Sequence, residues 1–349
     1  MSAPSRLERR KDEHLDLCLE QDVEAQQVTP GFDRYRLPHR ALPDLDLAAV
    51  DLGAELAGRP LRMPLVITGM TGGSTRAGEV NQALARVAQR TGMGLGLGSQ
   101  RAMIEHPELA WSYQVREQAP DVPILANLGA VQLNRGVTPA QCAEVVQAVD
   151  ADVLCLHLNA LQEAIQPEGD RDFRGLDDPI RAVVEAVSVP VLLKETGCGI
   201  SGETATRAAA LGCAGVDLSG VGGTSWSRVE ALRQQDPLFR AVGEAHRDWG
   251  IPTVESLIEV RAAIPRHLVI ASGGVRSGTQ MAIALALGAD LCGVALPVLR
   301  ALAESEDAAV ALLDRYREEL RVALFCCGAA DPDAMRAVEL RPAGGPEHA

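Results

Sequence analysis

The sequence predicts an α/β chain, a (β/α)8 TIM barrel with an N-terminal extension. Short β-type runs alternate with Ala-rich helical runs from about residue 63 onward, the pattern of βα units on a parallel sheet. There are eight such runs, and each ends in polar or glycine-rich residues. A barrel gathers its reactive groups at those ends. Eight parallel strands close most economically into a barrel, and a doubly wound open sheet is the alternative topology.

Taken in order, strands are expected at Leu65 to Thr68, Gly94 to Gly98, Ile124 to Leu128, Val153 to Asn159, Val191 to Glu195, Val216 to Ser219, Leu268 to Ala271 and Leu291 to Ala295. A ninth run, Pro252 to Glu255, leads directly into SLIEVRAAI and reads as the start of a helix. Asp178-Pro179 opens the helical IRAVVEAV, Ser201 opens a stretch closed by Gly212, and Ser277 with Gln280 makes a capping box before an Ala/Leu run. The chain divides into an extension (1–62), the barrel (63–330) and a C-terminal tail (331–349).

Among the 349 residues, 33 Lys and Arg against 47 Asp and Glu leave a net charge of −14, and 47% are apolar. That apolar content supports a large core and excludes disorder as the main state. The acidic balance opposes nucleic acid or an anionic membrane as partner, so a phosphate ligand must be held by local geometry. The eight cysteines show no CxxC pair and no zinc spacing, which reads as reduced thiols in the cytoplasm. The first 30 residues lack the apolar core of a secretory signal. The longest apolar stretch, Met281 to Leu299, is interrupted by Gly288, Asp290, Gly293 and Pro297 and is not expected to span a membrane.

Four constellations carry chemistry. In ASGGVRSG, Gly273 and Gly274 let the backbone approach a ligand, Arg276 supplies charge and Ser277 caps a helix whose first N–H groups face the same spot. Together these make a phosphate cradle; the plainer reading is a glycine turn for tight packing. On the fourth strand, Val153, Cys155, His157 and Asn159 alternate with three leucines, which points the first set into the barrel, and Gln162 and Glu163 follow within one turn. His157 is then a mouth residue or a hydrogen-bonded structural histidine. Glu163 is a hard-cation ligand if the substrate carries phosphates, or a surface carboxylate. Lys194 ends the apolar VLLK and needs an anion, either the neighbouring Glu195 or a ligand. Finally, Arg10 and His14 share a helix face beside Lys11, which taken alone is a solvated charge run.

The blocks RKDEH (10–14), MTGG (70–73), GSQR (98–101), ANLG (126–129), HLNALQE (157–163), PEGDRDF (167–173), VPVLLKETGCGIS (189–201), GVGGTSW (220–226) and ASGGVRSG (271–278) resemble the type 2 isopentenyl-diphosphate isomerases, FMN-dependent barrel enzymes. The likeness runs from residue 9 to about 325. It implies FMN at the mouth, touched by Gly69, Met70, Thr71, Ser99, Asn127, Lys194, Ser219 and Thr224, with its phosphate on Gly273, Gly274, Arg276 and the Ala295-Leu296 segment. Relatives often read ARP or AGH where this chain has ALP, which leaves the contact of Leu296 open.

The likeness also implies a small-molecule diphosphate gripped by Arg10, Lys11, His14, Ser99, Gln100 and Arg101, with Glu163 on Mg²⁺ and Gln162 beside the reacting carbons. His157 and Lys194 would tune the flavin and bind the diphosphate-metal unit, NADPH would prime the flavin, and the protein would be a cytoplasmic homo-oligomer, tetramer or octamer. Two rivals share the barrel: an FMN-dependent 2-hydroxy-acid oxidase, and a flavin-binding barrel without activity. The oxidases carry a base histidine after the sixth strand, and SGVGGT has none.

Overall fold

The computed structural model describes residues 6–344, so the end of the expected tail, 345–349, lies outside the described residues. Eight strands, β1 (Leu65–Ile67), β2 (Gly94–Gly96), β3 (Ile124–Gly129), β4 (Val153–Leu158), β5 (Val191–Glu195), β6 (Gly215–Asp217), β7 (Leu268–Ser272) and β8 (Leu291–Val294), pair in sequence and in parallel. The last pairs with the first, Cys292 opposite Leu65, so the sheet is a closed barrel and the open-sheet alternative is excluded. Strand β6 stops at Asp217, short of the expected Ser219, because Ser219 sits at φ 43, a left-handed conformation that turns the chain. The ninth run is indeed helical from Thr253 to Ala263, with Pro252 just ahead of it.

The period-2 alternation of β4 sorts its side chains as pleating requires. Cys155 joins Val66, Leu125, Val153, Leu192, Ile270 and Leu291 inside the barrel. Leu154 and Leu156 face outward against helix residues such as Leu84, Val183 and Met281. A fully buried Leu is worth about 1.5–3 kcal/mol, so the larger outer layer dominates stability. The antiparallel hairpin Ala54–Leu56 and Arg59–Leu61 inserts Leu56 and Leu61 under the inner cluster, closing the end opposite the mouth.

The first helix of the extension lies at the mouth. Helix Arg6–Glu20 packs Leu15 and Cys18, three apart on one face, against Ala77, Val229, Leu296 and Leu299. Its contacts are with helices Thr75–Thr91, Trp226–Arg233 and Leu296–Glu304. Within the C-terminal part, Arg341–Pro342 pairs antiparallel with Tyr35–Arg36.

Candidate functional site at the barrel mouth

The ends of all eight strands line one open-mouthed cavity. Every residue expected at the site lines it except Gln100. Gln100 is fully buried, and its Oε1 accepts the Asn127 N–H at 2.9 Å. It is therefore a strut for Asn127 rather than a diphosphate contact, since its polar end is already engaged inside the fold.

The loops after β6 and β7 press together, Gly273 against Gly220 and Gly274 against Gly222. Gly274 holds φ 76, and a Cβ there would come within 2.5 Å of the Gly222 carbonyl. Arg276 lies beside this turn. The capping differs from the expected box: Ser277 Oγ accepts the Gln280 N–H at 3.2 Å, but Gln280 Oε1 accepts the Arg276 N–H at 2.7 Å. The first helical amide, Gly278 N–H, goes to Glu319 at 2.7 Å. The cradle thus rests on glycine backbone and Arg276 rather than on the helix terminus.

At the centre, Lys194 Nζ reaches Asp217 at 3.1 Å and donates to the Glu195 carbonyl at 2.9 Å. The Glu195 carboxylate, the partner weighed from sequence, turns away and accepts the N–H groups of Thr196 at 2.6 Å and Gly197 at 2.5 Å, and that of Cys198. Burial pushes Glu195 up to about 7. Asp217 also accepts from Ser272 Oγ. It stands in direct register with Lys194 across β5 and β6, and its inward place on β6 is the signal that could have found it. Thr71 Oγ1 and Asn159 Oδ1 are buried without a partner, which suits a polar ligand filling the space.

His157 is neutral, because burial and the nearby Lys11 and Lys194 push it down to about 3. Its Nδ1 lies 2.8 Å from Asn127 Oδ1, while Asn127 Nδ2 donates to the Leu97 carbonyl at 3.0 Å. The Asn127 oxygen is therefore the acceptor, Nδ1 carries the proton and Nε2 remains a lone pair.

On the opposite side, Arg10, Lys11 and His14 face into the cavity, which overturns the solvated-face reading of that run. Burial, with Arg10 beside it, pushes Lys11 down to about 7. The focus of this side is Glu230, fully buried and not anticipated from sequence. It accepts from Gln162 Nε2 at 2.9 Å and Arg233 Nη1 at 2.6 Å, and lies 3.0 Å from His14 Nε2. Burial alone would raise it, but His14, Arg233 and Gln162 hold it down to about 2. Trp226 meets the His14 ring edge-on at 5.1 Å. Trp226 closes the GVGGTSW block, but Glu230 has no such signature, since His14 reaches it from the N-terminal helix and Gln162 from the segment after β4.

Glu163 is buried rather than at the surface. It accepts from Asn159 Nδ2 at 2.9 Å and the Asp170 N–H at 2.6 Å, and burial raises it. Among the described residues no cluster of three His, Cys, Asp or Glu could hold a metal. Arg101 is shared between Glu105 at 2.6 Å and Asp170 at 2.8 Å. Leu296, the departure from the related motifs, is a buried apolar wall that meets Leu15 and Leu299.

The profile of the FMN-dependent dehydrogenase family matches residues 3–112 and 120–341. The chain is 50% identical to the isopentenyl-diphosphate delta-isomerase of Synechococcus sp. over 336 residues, 96% of this chain and 97% of that one. It is 45% identical to the protein of the same name from Methanopyrus kandleri, over 95% of this chain and 91% of that one. Among solved structures, mandelate oxidase with (S)-2-phenylpropionate superposes with a TM-score of 0.67 at 22% identity, covering 96% and 97% of the two chains, a likeness of fold alone.

Proposed function

The chain belongs to the FMN-dependent dehydrogenase family and, within it, to the isopentenyl-diphosphate delta-isomerases, and from that premise we propose how this mouth carries out the isomerisation. The enzyme is an isomerase that interconverts isopentenyl and dimethylallyl diphosphate. A proton is added at the terminal alkene carbon and another leaves the allylic carbon, so no net electrons move.

The residues fit FMN: a glycine turn with an arginine suits a phosphate, and unpartnered Thr71 Oγ1 suits a ring rich in hydrogen-bonding atoms. Gly273, Gly274 and Arg276 would hold the phosphate, and Thr71, Asn127 and Lys194 the ring. When bound and reduced, with NADPH read as the reductant, FMN would supply acid/base chemistry and an electron-rich face toward transient positive charge. One buried carboxylate, Glu163, fits a Mg²⁺ whose remaining ligands are substrate oxygens and water.

Arg10, Lys11, His14 and Arg101 bind the diphosphate, outweighing the overall charge locally. An arriving diphosphate favours the charged form of Lys11. Gln162 is held from both ends: Nε2 donates to Glu230, and Oε1 accepts from Asn159 Nδ2 at 3.2 Å. A neutral amide is a poor base, so Gln162 orients a proton in transit rather than storing it.

The observation that carries this reading is that Arg10, Lys11 and His14 share one cavity with Gln162, Glu163 and the glycine cradle. The test is anaerobic incubation of dithionite-reduced protein with FMN, Mg²⁺ and isopentenyl diphosphate in D₂O. Dimethylallyl product carrying deuterium is expected. A yellow protein that leaves the substrate unchanged would favour the inert flavin-binding barrel instead. The oxidase reading is disfavoured because His246, which follows β6, does not line the cavity and lies with its Nδ1 at the Val242 carbonyl.

The protein is further read as a cytoplasmic homo-oligomer. Supporting this are eight unpaired cysteines and an exposed apolar face formed by Leu238, Phe239 and Val242 on helix Pro237–Ala245, with Trp249 beside it. No described helix is long and apolar enough to cross a membrane.

A further inference from the structure

Arg276, the charged member of the phosphate cradle, is engaged by a carboxylate from the other end of the chain. Glu24 Oε1 accepts from Arg276 Nη2, and Glu24 Oε2 lies 3.6 Å from Arg300 Nη1. The backbone around Glu24 is fastened to the loop that forms the cradle's other wall. Glu24 bridges Thr224, Ala25 N–H donates to the Gly223 carbonyl at 2.9 Å, and Ser225 N–H donates to the Val23 carbonyl at 2.7 Å. Arg247 Nε also donates to the Glu24 carbonyl at 2.8 Å. The backbone is thus pinned, while the side chain is about one-third exposed, with 31% of its surface accessible.

A carboxylate on an arginine is the arrangement a phosphate monoester would make there, with one charge fewer. We propose that Glu24 is an internal counter-anion for Arg276 and Arg300, which the flavin phosphate must displace, so that Glu24 sets how strongly the site distinguishes FMN from flavin without a phosphate. This rests on the reading that the cradle holds FMN phosphate. If Glu24 swings out, binding pays for a lost ion pair; if it stays, the phosphate meets a like charge close by. Both routes make the native carboxylate weaken phosphate binding, and neither touches the isoalloxazine.

The experiment compares wild type, Glu24→Gln and Glu24→Ala as refolding-competent apoproteins, titrated with FMN and with riboflavin by quenching of flavin fluorescence. Both variants should bind FMN roughly tenfold more tightly, the equivalent of about 1.4 kcal/mol, with riboflavin affinity unchanged. In a second readout, inorganic phosphate alone should raise the melting temperature of Glu24→Gln apoprotein more than that of wild type. Unchanged or weaker FMN binding, or riboflavin tightening by the same factor, overturns the proposal while leaving the cofactor site intact. Failure of every protein to bind FMN overturns the cofactor reading itself, and the proposal with it.

Discussion

The two ends of the mouth are built from different materials. The cradle after β6 and β7 is shaped by side chains that are missing: Gly222, Gly273 and Gly274 all hold positive φ and sit against one another. The end under helix Arg6–Glu20 is shaped by charges in reciprocal pairs, with Glu230 between His14, Gln162 and Arg233, and Arg101 between Glu105 and Asp170. A backbone cradle has one geometry and tolerates almost no added atom. A charge network can exchange partners when a diphosphate arrives, and burial and neighbouring charges tune it. Lys11 near 7 and Glu230 near 2 show how far such tuning reaches without a bound ion.

The sharpest way to break this contrast is to add a side chain to the rigid end. Gly274→Val puts a branched Cβ against the Gly222 carbonyl at a φ of 76 that valine does not adopt. FMN should be lost on purification, with affinity down by roughly a hundredfold or more. Absorbance of the purified protein near the flavin bands reads the loss, and retained colour would mean that the turn yields.

Next comes the buried pair at the centre. Lys194→Met leaves Asp217 charged and unpaired inside the barrel and should cost about 3–5 kcal/mol, whereas Lys194→Met with Asp217→Leu should recover most of it. Denaturant unfolding of the three proteins checks this, and two equally unstable variants would show that the pair is not coupled.

At the adaptable end, Lys11→Ala should raise KM by roughly tenfold or more and lower kcat far less, because a charge-assisted contact to the diphosphate is lost while the reacting carbons are untouched. An unchanged KM in steady-state assays rejects the assignment.

The smallest effect is the most specific. Lys11 titrates near 7 in the folded protein, below its ordinary 10.5, so its charge is lost as pH rises through neutrality. KM should climb by a few-fold between about pH 6.5 and 8.5 in the wild type, and the climb should flatten in Lys11→Arg. The same depression means the unfolded chain binds the Lys11 proton more tightly between 7 and 10.5, so this group's contribution to stability increases with pH across that window. A pH profile identical in both proteins would place the titration elsewhere.

The contrast also explains what could be read from the chain. Glycine cradles and strand alternation are local, so ASGGVRSG and the inward row Cys155, His157, Asn159 announce their positions within a few residues. The eight strands follow from the same short-range pattern, with β6 shortened by the strained Ser219. The charged end is assembled from segments about 220 residues apart, as Glu13 with Arg233 and His14 with Glu230 show. In the chain, Glu230 is one acid on a helix among many. Only closure of the barrel makes it the buried centre for Gln162 and His14. Gln100 fails for the complementary reason: it lies within a recognised block, but its side chain turns inward to hold Asn127.

The most direct test of the central claim, that one mouth holds flavin and diphosphate at opposite ends, is the electron density of anaerobically reduced crystals soaked with FMN, Mg²⁺ and isopentenyl diphosphate. The flavin phosphate is predicted on Gly273, Gly274 and Arg276, and the diphosphate with its metal between Glu163 and the row Arg10, Lys11 and His14. A diphosphate lodged in the glycine cradle, or an isoalloxazine outside the ring of strand ends, would contradict it.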